Sequence, residues 1–127
     1  MRWISKEQIL SLHDDILEEF NGKKGIREEA LLDSAINAPF QTYGGAELYP
    51  GILEKSARLA YGVIRNHPFL DGNKRMGLHL MLIFQELNGI RLLYGEEEMV
   101  NLIVAVAAGE ITEEKLCMWL KDHGERE

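Results

Sequence analysis

The sequence predicts an all-α fold, a bundled or orthogonal array of about six helices interrupted by one irregular flap. Three observations lead there. Apolar residues recur at three- and four-residue spacing through most of the chain, and glycines and prolines fall largely between those stretches. The third is size: 127 residues at 46% hydrophobic composition suit one core and not two, so residues 1–127 read as a single domain without internal repeats.

The elements follow in order. Ser5 with Gln8 makes a capping-box start, after which Ile9, Leu12, Ile16 and Phe20 recur at helical spacing until Asn21 and Gly22 stop the run. Residues 28–37 form a shorter helix rich in Ala and Leu, closed by Pro39. Residues 40–51 break the pattern with a Gly44–Gly45 turn and three aromatics, Phe40, Tyr43 and Tyr49, and read as a loop or short hairpin flap. Helix resumes from Ile52 to Asn66 with Leu53, Ala57, Ala60, Tyr61 and Ile64 on its apolar face, and Pro68 ends it by disfavouring helical geometry at His67. Residues 73–88 are apolar around nearly the whole circumference between Met76 and Phe84, which predicts a central helix buried on all sides and ended by Gly89. Residues 96–108 turn Met99, Leu102, Ile103 and Val106 inward. Thr112 caps a last helix carrying Leu116, Trp119 and Leu120 on one face, and residues 124–127 read as a frayed end.

Composition narrows the function. A formal net charge of −7 opposes broad binding to DNA or RNA, which depends on Lys and Arg replacing counterions along phosphates. It leaves room for one local basic pocket, and Lys74 with Arg75 is such a spot. The single cysteine, Cys117, excludes an intrachain disulfide and suits a reducing compartment. The charged amino terminus lacks the apolar core of a signal peptide and no apolar stretch is long enough to span a bilayer, so a cytoplasmic location is expected. His13, His79, His123 and Cys117 show no metal-ligand spacing.

The run His67-Pro68-Phe69-Leu70-Asp71-Gly72-Asn73-Lys74-Arg75 concentrates the chemistry. Cations in the first turn of a helix oppose its dipole, so Lys74 and Arg75 call for an anion. A phosphate suits the free N–H groups there, and Gly72 has no side chain to block its approach; surface carboxylates are the alternative partner. His67 lies just ahead of this helix start and is placed to accept a proton from a substrate, or is a solvated loop histidine. Asp71 fits a magnesium ion bridging phosphates, or a cap for the following helix. Phe69 is an apolar peg that fixes the loop to the core. His79, one turn beyond Arg75 on the same face, is expected to be a buried, hydrogen-bonded core histidine rather than part of the site.

This run resembles the Fic/Doc signature H-x-F-x-[D/E]-[G/A]-N-[G/K]-R at every specified position. The likeness extends to the order of helices, the opening residues 4–13 and the late residues 109–112, and is similar above all to the short Doc branch. The resemblance implies a Fic/Doc fold and phosphate transfer from ATP to a Ser, Thr or Tyr hydroxyl of a protein. It assigns His67 as base, Asp71 as the Mg2+ ligand, Gly72 and Asn73 to the anion-binding turn, and Lys74 and Arg75 to the phosphates, in catalysis as well as in binding.

Two positions separate kinase from adenylyltransferase. Adenylyl-transferring members typically carry Gly where this chain has Lys74, and a second Arg where it has Leu78; both features are Doc-like and imply transfer of the γ-phosphate. The Doc branch further implies a target in the translation machinery, elongation factor Tu, and an antitoxin partner whose disordered tail folds into a groove on the helices. Doc motifs often carry Ala where Gly72 stands, which keeps adenylylation as the second reading. A non-catalytic nucleotide-binding module is the reading from another class. The self-inhibitory string [S/T]-x-x-x-E-[G/N] does not occur in this sequence, so control is expected from the partner. The flap, by the same resemblance, docks the target's backbone as an added strand.

Overall fold

The computed structural model describes residues 1–126, the last of them by its backbone alone. The helices are α1 (Lys6–Glu19), α2 (Glu29–Asn37), α3 (Ile52–Asn66), α4 (Asn73–Leu87), α5 (Glu96–Ala107) and α6 (Glu113–His123). Between α2 and α3 lie a 3-10 turn (Ala38–Phe40) and the hairpin of β1 (Thr42–Tyr43) and β2 (Ala46–Glu47). A second antiparallel pair joins β3 (Ile90–Leu92) to β4 (Gly124–Arg126). The mainly α expectation holds, and the flap is a hairpin. Among the described residues, no helix is long and apolar enough to cross a membrane.

The helix α3 lies at the centre, packed against α4, α6 and α2, because both of its faces are apolar. Leu59 and Val63 join Ile9, Ile16 and Leu32 in one core cluster, while Ala57, Ala60 and Ile64 join Met99, Leu116 and Leu120 in another. The α3–α4 layer is therefore sandwiched between α1–α2 and α5–α6. Its tightest point is Gly77, where an added Cβ would stand 2.5 Å from Ile64 Cγ1 and 3.2 Å from the Ala60 carbonyl oxygen.

Three expectations need correction. The capping box of α1 forms as read, with Gln8 N 3.1 Å from Ser5 Oγ and Ser5 N 2.9 Å from Gln8 Oε1. Its buried face, however, is Ile9, His13, Ile16 and Leu17, while Phe20 is exposed at the C-cap. Second, α4 is not buried all round. Met76, Leu80, Met81 and Phe84 are, but Leu78, His79 and Leu82 are half-buried. The cause is α5, which meets α4 less broadly than α3 does and leaves between them a groove of about 450 Å³. Third, residues 124–126 are a paired strand, while Glu127 lies outside the described residues. With Ile90 and Leu92 buried, the β3 backbone needs hydrogen-bond partners, and β4 supplies them.

The flap hairpin turns through Gly44 (φ 59°) and Gly45 (φ 82°), the positive values that a two-residue hairpin turn requires. It is anchored from below by Lys55, fully buried in α3. The Lys55 ammonium donates to Glu47 Oε1 at 2.8 Å and to the Tyr49 carbonyl, and sits 5.6 Å from the centre of the Phe40 ring. A buried cation needs its charge answered. Here the answer comes from the flap.

Gly77→Ala tests the helix contact. The added methyl gains about 1 kcal/mol of helix propensity but must displace Ile64, which costs about 1–3 kcal/mol. A net loss of up to about 2 kcal/mol is expected as a lower urea midpoint at unchanged slope. A midpoint at or above that of the unaltered chain would mean that Ile64 moves aside freely.

Candidate functional site

The site forms where α3 ends and α4 begins. His67 is the C-cap of α3 in the left-handed region (φ 51°, ψ 57°), a strained geometry for a residue with a Cβ and one forced where Pro68 forbids another helical turn. The carbonyls freed there are taken up by Arg27, whose Nε donates to His67 O at 2.6 Å and Nη2 to Asn66 O at 2.9 Å. The Pro68 carbonyl accepts from the Arg27 and Glu28 amides at 2.7 and 3.0 Å, and Leu70 N donates to Gly25 O at 3.0 Å. Residues 25–28 thus run beside the motif loop as a second strand would, with an Ile26–Phe69 bridge between them.

Phe69 is buried, the apolar peg the sequence suggested. Asn73, itself buried, closes the loop over it: Asn73 Oδ1 accepts from Phe69 N at 3.0 Å and Nδ2 donates to Phe69 O at 3.0 Å. The Asn73 side chain is thereby committed to the loop, and any anion would meet its backbone N–H instead. Gly72 is the N-cap of α4 at φ 78°, where an added Cβ would lie 2.8 Å from Leu17 Cδ2. Asp71 stands one residue earlier. Its Oδ1 accepts from Gly72 N at 2.8 Å and its Oδ2 from Lys23 N at 3.2 Å, so the carboxylate is aimed but exposed.

On the other side of the loop, His67 is exposed and its Nδ1 lies 3.3 Å from the Arg65 carbonyl. A carbonyl only accepts, so Nδ1 carries the proton and Nε2 of the neutral ring keeps its lone pair for a base's work. Lys74 and Arg75 are exposed, and among the described residues no carboxylate lies within ion-pair distance of either. The surface-carboxylate alternative thus finds no partner there. Asp71, Gly72, Asn73, Lys74 and Arg75 together line a cavity of about 250 Å³ over the helix start, and Lys74 and Arg75 also border the α4–α5 groove. The arrangement can hold an anion on backbone N–H groups and two cations, with a free base on the adjoining loop. Among the described residues no three His, Cys, Asp or Glu side chains converge, so a metal at Asp71 would complete its shell from phosphates and water, as magnesium does.

A model of the Fic/DOC family matches residues 3–85, which includes every residue of this site. The chain belongs to the Fic/Doc family. Within the Fic/Doc family it is Doc-like. It is 31% identical over 112 residues to a protein of Escherichia phage P1 named protein kinase doc, covering 88% of this chain and 87% of that one. It is 37% identical over 73 residues to toxin Doc of Mycolicibacterium smegmatis, covering 58% of this chain and 56% of that relative.

Two features of this Fic/Doc site escaped the sequence reading. His13, buried in α1, donates from Nε2 to the Asp71 carbonyl at 2.9 Å and stacks on Phe69 at 3.9 Å between ring centres. It is the core histidine that His79 was expected to be. His79 instead half-faces the groove, and burial first and the Arg75 charge second hold its ring below the ordinary value of 6.5. The other is Arg27, with no signal beyond being a cation ahead of a helix.

Two outcomes test this description. Asn73→Ala leaves the buried Phe69 N–H and C=O without partners and is expected to cost about 2–4 kcal/mol, measured by urea denaturation; a loss under about 0.5 kcal/mol would contradict the clasp. The lowered His79 value means that the folded chain binds this proton less readily than the unfolded chain. The resulting destabilisation is absent above the ordinary value of 6.5 and grows as pH falls below it. His79→Leu is therefore expected to lose less stability than the unaltered chain between pH 7.5 and pH 5, and parallel pH profiles would refute it.

Proposed function

We propose that this chain is a Doc-like toxin and protein kinase, transferring the γ-phosphate of ATP to a hydroxyl of a protein in the translation machinery, with elongation factor Tu as the candidate target. One observation carries the reading. A histidine with a free Nε2 adjoins a helix start whose two cations lack carboxylate partners among the described residues. Lys74 and Leu78 in the sequence, and the kinase named among the relatives, support the γ-phosphate over AMP.

In this reading the target hydroxyl approaches along the flap, whose hairpin edges are unpaired among the described residues. His67 Nε2 takes the hydroxyl proton as the oxygen bonds to the γ-phosphorus, the bond to the bridging β–γ oxygen breaks and ADP departs. The N–H groups at the start of α4, Lys74 and Arg75 hold the phosphate charge through that transfer. Asp71 would bind the magnesium ion that accompanies the nucleotide, which supplies further neutralisation of the phosphates. The hydrogen bonds from Gly72 and Lys23 keep that carboxylate aimed, and His13 holds its backbone.

Control in this reading lies with an antitoxin in the cytoplasm. Its tail would fold as an amphipathic helix on the apolar α4–α5 groove, where Leu78 and Leu82 are half-buried, Val100 and Val104 are exposed, and Lys74 and Arg75 stand at the border.

Expression in bacteria is expected to arrest growth, and His67→Ala to abolish the arrest; equal growth of the two strains would leave a binding module as the better reading. In a bacterial extract, label on the γ-phosphate of ATP is expected to pass to protein and label on the α-phosphate is not. Transfer of α-label instead would make the chain an adenylyltransferase.

A further inference from the structure

Arg75 stands at the phosphate cavity without a carboxylate partner among the described residues, yet its guanidinium has a neighbour. Its Cζ lies 3.6 Å from the centre of the Phe20 ring. Phe20 is the C-cap of α1 and 55% exposed, so its ring contributes little to the core and its position needs another explanation. The backbone around it is closely held. Gly22 N donates to Leu17 O at 2.7 Å, Asn21 turns through φ 55°, and Lys23 N reaches Asp71. An added Cβ at Gly22 would lie 3.0 Å from Asp71 Oδ2, so the end of α1 is docked against the motif loop.

We propose that Phe20 is a positioning residue for Arg75: its ring holds the guanidinium by one face, so that the N–H donors in the guanidinium plane stay free for a nucleotide phosphate. The chemistry favours this division of labour. A guanidinium can stack on an aromatic face and make two parallel bonds to phosphate at once, which a lysine ammonium cannot. A long side chain held ready also loses less freedom when the anion arrives. The proposal rests on the reading of Arg75 as a phosphate grip.

The test is a double-mutant cycle on the whole chain. Titration calorimetry with magnesium and the β,γ-imido analogue of ATP would compare the unaltered chain with F20L, F20W, R75A and F20L/R75A. F20L is expected to weaken binding about three- to tenfold. F20W, which keeps an aromatic face, is expected to restore it, and F20L/R75A to bind no worse than R75A alone. Phe20→Met provides a second loss of the ring should F20L fold poorly. Unchanged binding in F20L beside weakened binding in R75A would overturn the role of Phe20 and leave the phosphate reading standing. An equal loss from F20L in the R75A background would also overturn it, because Phe20 would then act apart from Arg75. Unweakened binding in R75A would remove the phosphate reading, and this inference with it.

Discussion

The side-chain amide of Asn73 is the constraint on which the site depends. By accepting from Phe69 N and donating to Phe69 O, it folds the five residues from Phe69 to Asn73 into a closed loop and makes the first residue of α4 a fixed distance from the last turn of α3. Both partners are buried, so the two bonds are made where water does not compete, and breaking either leaves a polar group stranded. Phe69 itself sits between the core and the ring of His13, which ties the loop to α1 as well. The clasp thus closes the loop between the two left-handed turns, at His67 and Gly72.

That geometry solves an electrostatic problem in an acidic protein. A chain of net charge −7 supplies carboxylates in abundance, and several cations are answered by one: Lys6 pairs with Glu29 and Asp33, and Lys121 with Glu54. Lys74 and Arg75 have no such partner among the described residues, and the Asp71 carboxylate at the same loop accepts from the Gly72 and Lys23 amides instead. Two cations and the free N–H groups of a helix start then share one small cavity. The like charges and the helix dipole are mutually unfavourable, a local cost that the surrounding packing sustains.

Much of this was legible in the sequence. The helices stand out because their apolar residues are periodic, and the signature from His67 to Arg75 is legible because each residue's chemistry is local to the loop. Most of what the sequence concealed has one physical cause, residues used against their type. His13 is polar but occupies a core position, because one hydrogen bond to the Asp71 carbonyl and one stacked ring satisfy it. Phe20 is apolar and at helical spacing, yet lies outside the core against a cation. Lys55 is charged and fully buried, its partner lying eight residues back across the flap. Periodicity sorts residues by polarity, so it cannot find positions where a specific partner overrides polarity. The β3–β4 pair was hidden for another reason: three-residue strands from distant parts of the chain carry no pattern of their own.

The same exceptions show how the fold divides its labour. The site has two sides, and each is attached to the central layer by one group that the core would otherwise exclude. On the side of the motif loop, His13 and Phe69 join the loop to α1; on the flap side, Lys55 joins β2 and the segment after it to α3. The helix α3 bears Lys55 near its start and His67 at its C-cap, so a single rigid element sets the spacing between the flap's anchor and His67. Among the described residues, the α4–α5 groove has no comparable tie. Its walls are largely apolar and partly open, with Val100 and Val104 exposed along α5, so the partner of the proposed reading would lie there without disturbing either attachment. Because Lys74 and Arg75 border both this groove and the cavity over the start of α4, a partner lying there would, in the proposed reading, compete for the two cations assigned to the nucleotide.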